Sequence, residues 1–265
     1  VARDLLADSG SIFVQIGDEN LHRVRSLLDE VFGETNFKSV IHFISNSGLA
    51  QAEGLATVGD YVLWYSKDAR KIKYRKSYVE RPATAATIAA YSMIEFENGE
   101  RRGLSREEKN NPVLPTGSKR YRYMDISKPG PGSRYDIQFN RQVFSPGKRW
   151  WGTTPDGIAR LQRANRLGSS GTTLWQIKYY DDFPYTPINN LWEDTASSFA
   201  ADKIYVVQTN TKIVQRCVLM TTDPGDLVLD PTCGSGTTAT VAEQWGRRWI
   251  TIDTSRVALA LARAR

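Results

Sequence analysis

Residues Leu227–Asp253 read LVLDPTCGSGTTATVAEQWGRRWITID, and this stretch decides the fold class. The apolar run Leu227–Leu229 predicts a strand that ends at Asp230, after which the chain enters a Gly-Ser-Gly turn. Residues 237–246 have the spacing of a helix, and a second apolar run ends at Asp253. Strand, helix and strand in this order form a βαβ unit, which predicts a parallel sheet in an α/β fold.

The Gly-Ser-Gly turn, defined here as residues 230–237, has the composition of a ligand-binding loop. Gly234 and Gly236 remove side chains where a ligand would approach the backbone, and the helix beginning near Thr237 presents free N–H groups. The absence of Lys after the second glycine excludes a P-loop. Asp253, nineteen residues after Gly234, can accept hydrogen bonds from ribose hydroxyls. The pattern predicts an adenosine-type cofactor, with an ordinary turn and a surface Asp as the alternative.

Composition limits the class of protein. The chain has 265 residues, of which 40% are apolar and 24% charged, which suits a large α/β domain or a core with an insertion. No apolar run is long enough to span a membrane, and no signal peptide is visible. The only cysteines, Cys217 and Cys233, suggest no disulfide framework, so a cytoplasmic location is expected. His22 and His42 lie far from any cysteine pair, which argues against zinc.

The α/β pattern occupies both ends of the chain. Near the start we predict the tail of a helix that Gly10 ends in a left-handed turn, a strand at Ile12–Ile16, an amphipathic helix stopped by Gly33, and a strand at Asp60–Lys67. Towards the end we predict further elements, namely a strand at 203–210 and helices at 211–223 and 254–265.

The middle of the chain differs, because Gly, Pro, Ser and Thr are frequent and long periodic segments are few. A short helix is expected from Thr154, as N-cap, and Pro155 through the apolar positions Ile158, Leu161 and Leu167. We therefore predict three parts: residues 1–80 and 202–265 form the core, and residues 81–201 form an insertion.

Basic residues are concentrated in two segments, although the net charge is only +6. Residues 67–81 contain seven Lys or Arg against two acids, and residues 141–166 contain six against one. Interleaved Tyr and Trp make both segments suitable for nucleic acid. A solvated basic face explains the same composition equally well.

Several blocks in a fixed order resemble a known family. DPTCGSGTT (230–238), RRWITIDTSRVALALAR (247–263), TNTKIVQRCVLMTTDPGDLVLD (209–230) and residues 5–37 are similar to segments of the amino-methylating DNA methyltransferases of bacterial restriction–modification systems. The adenine-specific methylation subunits of type III systems are the most similar group. One departure is Lys212-Ile213, where that group commonly has Lys-Pro.

The resemblance implies a fold and a set of site residues. The fold is a Rossmann-like S-adenosylmethionine-dependent methyltransferase sheet, with the insertion as a DNA target-recognition region. The cofactor, S-adenosyl-L-methionine, would be held by Asp230, Pro231, Thr232, Cys233, Gly234, Ser235, Gly236, Thr237 and Asp253. Within the insertion, DNA contacts are expected from Lys148, Arg149, Arg160 and Arg163. The substrate would be double-stranded DNA methylated at adenine N6, with a restriction subunit and a second copy as partners.

The catalytic motif of the family is missing from these 265 residues. That motif is an Asp/Asn/Ser-Pro-Pro-aromatic tetrapeptide, which in the family lies shortly before the segment matching residues 5–20. The nearest imitation is Asp182–Tyr185, Asp-Phe-Pro-Tyr, for which a packing loop is the simpler interpretation. We therefore assign no catalytic residue. We expect the chain to be a piece of a longer enzyme that does not transfer methyl groups by itself.

Two other functions fit the same turn. One is a nicotinamide-dependent oxidoreductase, and the other is a DNA-binding module without catalysis.

Three further sites carry two interpretations each, and a fourth, Asn210 with Lys212, carries one that the resemblance implies. Asp18 suits either a ligand pocket or a helix N-cap, and Asn210 with Lys212 would close over the methionine end of the cofactor. The pair Trp150–Trp151 suits either base stacking or a core, and Cys233 is interpreted as a small filler rather than a catalytic thiol.

Overall fold

The computed structural model describes residues 1–45, 55–81, 88–110, 114–196 and 208–265. The chain divides into two compact units, the first formed by residues 1–79 and 187–265 and the second by residues 80–186. The second unit is thus inserted into the first. Its carboxyl boundary comes earlier than the predicted one at Ala201, because residues Leu191–Trp192 pair with a strand of the first unit.

The described elements are as follows. The strands are β1 (Ser11–Ile16), β2 (Phe37–Ile44), β3 (Gly59–Ser66), β4 (Tyr78–Glu80), β5 (Met93–Glu95), β6 (Arg101–Gly103), β7 (Lys119–Asp125), β8 (Ser127–Lys128), β9 (Ile137–Phe139), β10 (Gln142–Phe144), β11 (Trp150–Trp151), β12 (Leu167–Ser170), β13 (Thr173–Tyr179), β14 (Tyr185–Pro187), β15 (Leu191–Trp192), β16 (Leu227–Asp230) and β17 (Arg248–Thr251). The helices are α1 (Ala2–Leu5), α2 (Asp18–Phe32), α3 (Arg106–Asn110), α4 (Pro155–Arg163), α5 (Thr211–Thr221), α6 (Thr237–Gln244) and α7 (Arg256–Ala264). Short 3₁₀ helices cover Glu34–Asn36, Tyr180–Asp182 and Glu193–Thr195.

The larger sheet of the first unit has the strand order β1-β3-β2-β15. It is mixed, because β3 is antiparallel to both β1 and β2, whereas β15 is parallel to β2. Helix α2 connects β1 to β2, and these two strands run in the same direction without being neighbours. Strand β3 lies between them and runs in the opposite direction. The prediction of a parallel sheet is therefore wrong for β3, although the α/β class is confirmed.

Helices cover both faces of this sheet. Val62 and Leu63, adjacent on β3, point to opposite faces. Leu63 is buried with Leu28 and Phe32 of α2, whereas Val62 is buried in a cluster that contains Met220 of α5. The first unit thus has three layers, helix, sheet and helix.

The segment Leu227–Asp253 forms β16, α6 and β17. Its two strands are parallel, and Leu229 lies opposite Ile250. One face of this pair is exposed to solvent: the exposed fractions are 51% for Leu227, 40% for Leu229, 49% for Ile250 and 52% for Ile252. We call these four side chains the open apolar face.

The second unit is built on an antiparallel sheet with the order β12-β13-β7-β5-β6. Beside this sheet, α4 begins as predicted, since the Thr154 hydroxyl accepts a hydrogen bond from Gly157 N at 3.2 Å and Pro155 is the first helical residue. Leu167 was expected in the same helix, but it lies in β12. The helix ends at Arg163, and Asn165 takes a left-handed conformation with φ of 56°.

The start of the chain also differs from its prediction. The first helix ends at Leu5 with an extended residue after it, and Gly10 does not adopt a left-handed conformation. Gly10 is instead closely packed, because a Cβ there would lie 2.9 Å from the Ala7 carbonyl oxygen. Most of the strand predicted at 203–210 lies outside the described residues. Among the helices that are described, none has the length and apolar character needed to cross a membrane.

Candidate functional site

The Gly-Ser-Gly turn and Asp253 meet at the carboxyl edge of the parallel pair. Asp230 ends β16, and Asp253 follows β17 by two residues. Carboxyl ends of parallel strands share one edge of a sheet, where α/β proteins bind ligands. Here the Gly234 N–H donates to Asp253 Oδ2 at 2.9 Å, and the Cys233 N–H donates to the Ile252 carbonyl at 3.0 Å. The two features singled out in the sequence are therefore in direct contact.

Asp253 is held as an ionised acceptor. Its Oδ1 accepts from Ser255 N at 2.8 Å, in addition to the Oδ2 bond from Gly234 N. These N–H groups hold the pKa of Asp253 below its usual value. A carboxylate has about four lone-pair sites, so Asp253 can still accept from a ligand hydroxyl.

Asp230 is fixed from the other side of the turn. Its Oδ1 accepts from Thr232 N at 3.0 Å, and its Oδ2 accepts from the Thr238 hydroxyl at 2.5 Å. Thr238 was not among the predicted site residues. Its signal in the sequence is a hydroxyl placed in the first turn of α6, eight residues after Asp230. The two carboxylates are thus both oriented by groups of the turn and its helix.

Backbone conformation favours glycine at both Gly234 and Gly236, and close packing is an additional reason at Gly236. Both are left-handed, with φ of 51° at Gly234 and 78° at Gly236. At Gly236 a Cβ would lie 2.9 Å from the Ala262 Cβ of α7, so close packing requires glycine there in addition to the backbone conformation.

The other side chains of the turn divide between interior and solvent. Ser235 and Thr237 are buried, and Arg265 Nη1 lies 3.1 Å from Thr237 Oγ1. Pro231 and Thr232 are exposed. Cys233 is buried, and this burial raises the pKa of its thiol, which agrees with a small filler and not with a thiolate nucleophile.

Comparison with known proteins identifies the family. The sequence profile of the N6/N4-type DNA methylases matches residues 1–264. The chain is a member of this DNA methylase family. It is 27% identical over 261 residues to the type II methyltransferase M.EcaI of Enterobacter cloacae, covering 96% of this chain and 52% of that protein.

A second relative is the probable type III restriction-modification enzyme HindVI Mod subunit of Haemophilus influenzae. The identity is 23% over 303 residues, covering 96% of this chain and 40% of that protein. The DNA methylase chain thus spans about half the length, or less, of these relatives. Among solved structures, the PvuII DNA methyltransferase (cytosine-N4-specific) aligns with a TM-score of 0.49 and 13% identity, covering 99% of this chain and 65% of that one.

The four predicted DNA contacts of the methylase lie on the surface of the second unit, with different partners. Lys148 is exposed and has no hydrogen-bond or ion-pair partner among the described residues. On α4, Arg160 pairs with Asp156 at 2.8 Å across an exposed helical turn, and the one partner of Arg163 within the described ranges is the Ala159 carbonyl, 3.4 Å from its Nε. Arg149 is different, because its side chain is occupied within the protein.

Arg149 donates to three acceptors on residues 125–127 of the same chain. Its Nε donates to Ser127 Oγ at 2.7 Å, and its Nη2 reaches Asp125 Oδ2 at 3.0 Å and the Ser127 carbonyl at 2.9 Å. The two adjacent tryptophans have different environments. Trp151 is buried in the core, whereas Trp150 is partly exposed and the Arg134 guanidinium lies 4.2 Å from the centroid of its ring. Base stacking is therefore wrong for Trp151.

Three other candidates have mainly structural partners. Asp18 is the first residue of α2 and Gly17 is the N-cap, so the N-cap interpretation of Asp18 is wrong. Asn210 caps α5 by accepting from Lys212 N at 2.9 Å, and Lys212 Nζ binds Asp194 Oδ2 at 3.2 Å. Sequence reasoning missed Arg216, whose guanidinium forms two bonds of 2.8 Å to the same carboxylate.

Proposed function

We propose that this DNA methylase chain binds S-adenosyl-L-methionine in the Gly-Ser-Gly turn and acts in the methylation of double-stranded DNA within a restriction–modification system. The observation that carries the proposal is the bond from Gly234 N to Asp253. It joins a left-handed glycine turn to a carboxylate at the edge of a parallel sheet.

The residues of the turn fit this cofactor. The free lone pairs of Asp253 suit the two ribose hydroxyls, and the backbone of Gly234 allows close approach. Asp230, fixed by Thr238, and the exposed Pro231 and Thr232 form the rest of the accessible rim. When bound, the cofactor supplies an activated methyl group on its sulfonium. The chain's own contribution is to hold and orient it.

The second unit would serve as the target-recognition region. Lys148, Arg160 and Arg163 have cationic groups directed to solvent, and such groups bind DNA phosphates. Arg149 would position this surface through Asp125 and Ser127 instead of contacting DNA.

The target atom we propose is N6 of adenine, supported by the similarity to type III methylation subunits such as HindVI Mod. A restriction subunit and a second copy of the protein are the proposed partners. The 265 residues contain no Pro-Pro-aromatic tetrapeptide, and Asp182 of the Asp-Phe-Pro-Tyr imitation is bound to Arg166 at 2.6 Å. We therefore expect no methyl transfer from this chain alone.

Calorimetric titration of residues 1–265 tests the cofactor site. We expect S-adenosylmethionine or its homocysteine product to bind, and Asp253→Ala to weaken binding at least tenfold, because two charge-assisted hydrogen bonds are lost. Asp136→Ala, at an exposed carboxylate of the second unit, is the matched control and should bind normally. Binding of a nicotinamide dinucleotide in place of S-adenosylmethionine would overturn the proposal.

A second assay addresses catalysis. Purified protein is incubated with labelled S-adenosylmethionine and plasmid DNA, and label on the DNA is counted. Transfer above background by residues 1–265 would contradict the expectation that these residues lack the catalytic groups.

A further inference from the structure

The second unit contains an open cleft that the proposed function does not use. Its volume is about 190 Å³, and its walls include three aromatic rings, two carboxylates and one guanidinium: Tyr180, Phe183, Tyr185, Glu80, Asp181 and Arg81. Glu80 belongs to β4 and Tyr185 to β14, and these strands pair. Three residues of the Asp-Phe-Pro-Tyr loop that imitates the catalytic motif line the cleft, namely Phe183, Pro184 and Tyr185.

Two of the rings are unusually accessible. The exposed fraction is 54% for Phe183 and 57% for Tyr185. Lys178 Nζ lies 4.2 Å from the centroid of the Phe183 ring and has no hydrogen-bond or ion-pair partner among the described residues. Exposed aromatic rings beside a free cation are the usual elements of a surface on which unpaired bases stack.

The loop that carries these rings is held in place by hydrogen bonds. Arg81 N donates to the Pro184 carbonyl at 2.7 Å, and Arg81 Nη1 donates to the Tyr180 carbonyl at 3.3 Å. Asp182 Oδ2 accepts from Tyr179 N at 2.8 Å as well as from Arg166. The carboxylate of the imitation motif is therefore occupied, whereas its two rings remain exposed to solvent.

The carboxylates add selectivity among bases. Neither the Glu80 nor the Asp181 side chain has a hydrogen-bond or ion-pair partner within the described part of the chain, and an ionised carboxylate only accepts hydrogen bonds. Cytosine presents an exocyclic amine as donor at the position where thymine presents a carbonyl oxygen. Acceptors in the wall therefore favour cytosine over thymine.

We propose that this cleft binds an unpaired nucleotide of DNA. A base with an exocyclic amine stacks on Phe183 or Tyr185, its amine donates to Glu80 or Asp181, and the ammonium of Lys178 binds the adjoining phosphate. This site is separate from the cofactor turn and extends the proposed function, because it concerns single-stranded DNA and requires no methyl transfer.

Fluorescence anisotropy with labelled single-stranded dC12 and dT12 tests the proposal. For residues 1–265, dC12 is expected to bind more tightly than dT12. Phe183→Ala should weaken dC12 binding about tenfold, the scale of one lost stacking contact, while Phe183→Tyr should preserve it. Tyr185→Ala provides an independent loss of a ring, and circular dichroism checks that each variant is folded.

Two further variants separate the contributions. Lys178→Gln should lower the slope of log affinity against log salt by about 0.7, the value for one phosphate contact on a single strand. Glu80→Gln combined with Asp181→Asn should remove the preference for dC12. Equal dC12 binding by folded Phe183→Ala and wild type would overturn the site, as would full binding by Phe183→Leu, which fits an apolar protein partner instead of stacking.

A duplex titration run in parallel distinguishes this site from the proposed function. If the wild-type chain binds the duplex but Phe183→Ala binds dC12 normally, the cleft proposal fails and DNA binding stands. If the wild-type chain binds neither duplex nor single strand, both the cleft proposal and the DNA-binding part of the proposed function fail.

Discussion

Residues 67–81 and 141–166 have similar basic composition but different electrostatic environments. In the first segment Lys71 binds Asp8 at 2.8 Å, Lys73 binds Asp226 at 2.5 Å and Arg75 binds Asp223 at 3.1 Å. In the second, Lys148 is unpaired among the described residues and Arg163 bonds only a carbonyl. The difference lies in how many cations the fold neutralises, because only a cation left without a carboxylate can release counterions from DNA.

The largest expected effect is on DNA affinity in the second segment. Combined Lys148→Ala and Arg163→Ala should lower affinity for a labelled duplex about 60-fold at 0.1 M salt, the counterion-release contribution of two phosphate contacts. The slope of log affinity against log salt should fall by about 1.8, for two phosphate contacts. Fluorescence anisotropy over a salt series measures both. The control is Lys71→Ala with Arg75→Ala, for which we expect less than a twofold change; a reversed result would break the comparison.

The next effect concerns stability in the first segment. Asp226→Ala removes the closest partner of Lys73 and an acceptor for Asp223 N at 2.8 Å. The free energy of unfolding should fall by about 1 kcal/mol, the upper end for a partly exposed ion-pair network. Urea denaturation followed by circular dichroism measures this, with Asp136→Ala as control. Duplex affinity should remain unchanged, and a tenfold loss would show that residues 67–81 also contact DNA.

Arg149 belongs to the second segment but is paired with a carboxylate, Asp125, as the cations of the first segment are. Arg149→Ala should lower the free energy of unfolding by about 0.5 kcal/mol while leaving the salt dependence of duplex binding unchanged. Arg149→Lys should not restore stability, since an ammonium cannot reproduce the fork that reaches both Ser127 and Asp125. If the salt slope falls by about 0.9 in Arg149→Ala, Arg149 is a phosphate contact after all.

The smallest effect is a dependence on pH. The hydrogen bond from Lys73 lowers the pKa of Asp226 from its ordinary 3.8, so the pair's contribution is complete above that value. It is lost as the pH falls through the lowered folded-state pKa. The melting temperatures of wild type and Asp226→Asn, measured from pH 7 to pH 3, should therefore converge in acid. A constant difference across this range would show that Asp226 does not act through its charge.

Elements set by local periodicity were predictable from sequence, and those set by pairing between distant segments were not. The spacing of apolar residues gave α2, α5 and the β16-α6-β17 unit close to their observed bounds. The placement of β3 between β1 and β2 depends on competition among strands for edges, which no local pattern contains. Leu167 fits the helical spacing of α4 but lies in β12, because the helix ends before the left-handed residue Asn165.

The same limit applies to the site. Gly234 and Asp253 could be connected by strand order alone, since carboxyl ends of parallel strands share an edge. Their direct bond adds the orientation that the sequence lacks. Thr238 and Arg216 were missed because their partners, Asp230 and Asp194, are defined by side-chain geometry. For Trp150 and Trp151 the period of two made only one of them a core residue, and the sequence does not show which.

The open apolar face affects how the protein behaves in solution. Leu227, Leu229, Ile250 and Ile252 present hydrocarbon to water on a sheet that has two parallel strands among the described residues, whereas parallel sheets are normally covered on both faces. Sulfate and phosphate strengthen apolar association, so these salts should drive the purified protein into aggregates at concentrations that leave a Leu229→Lys variant dispersed. The same surface should bind a hydrophobic dye such as ANS in the native state, so dye fluorescence would be a poor measure of its unfolding.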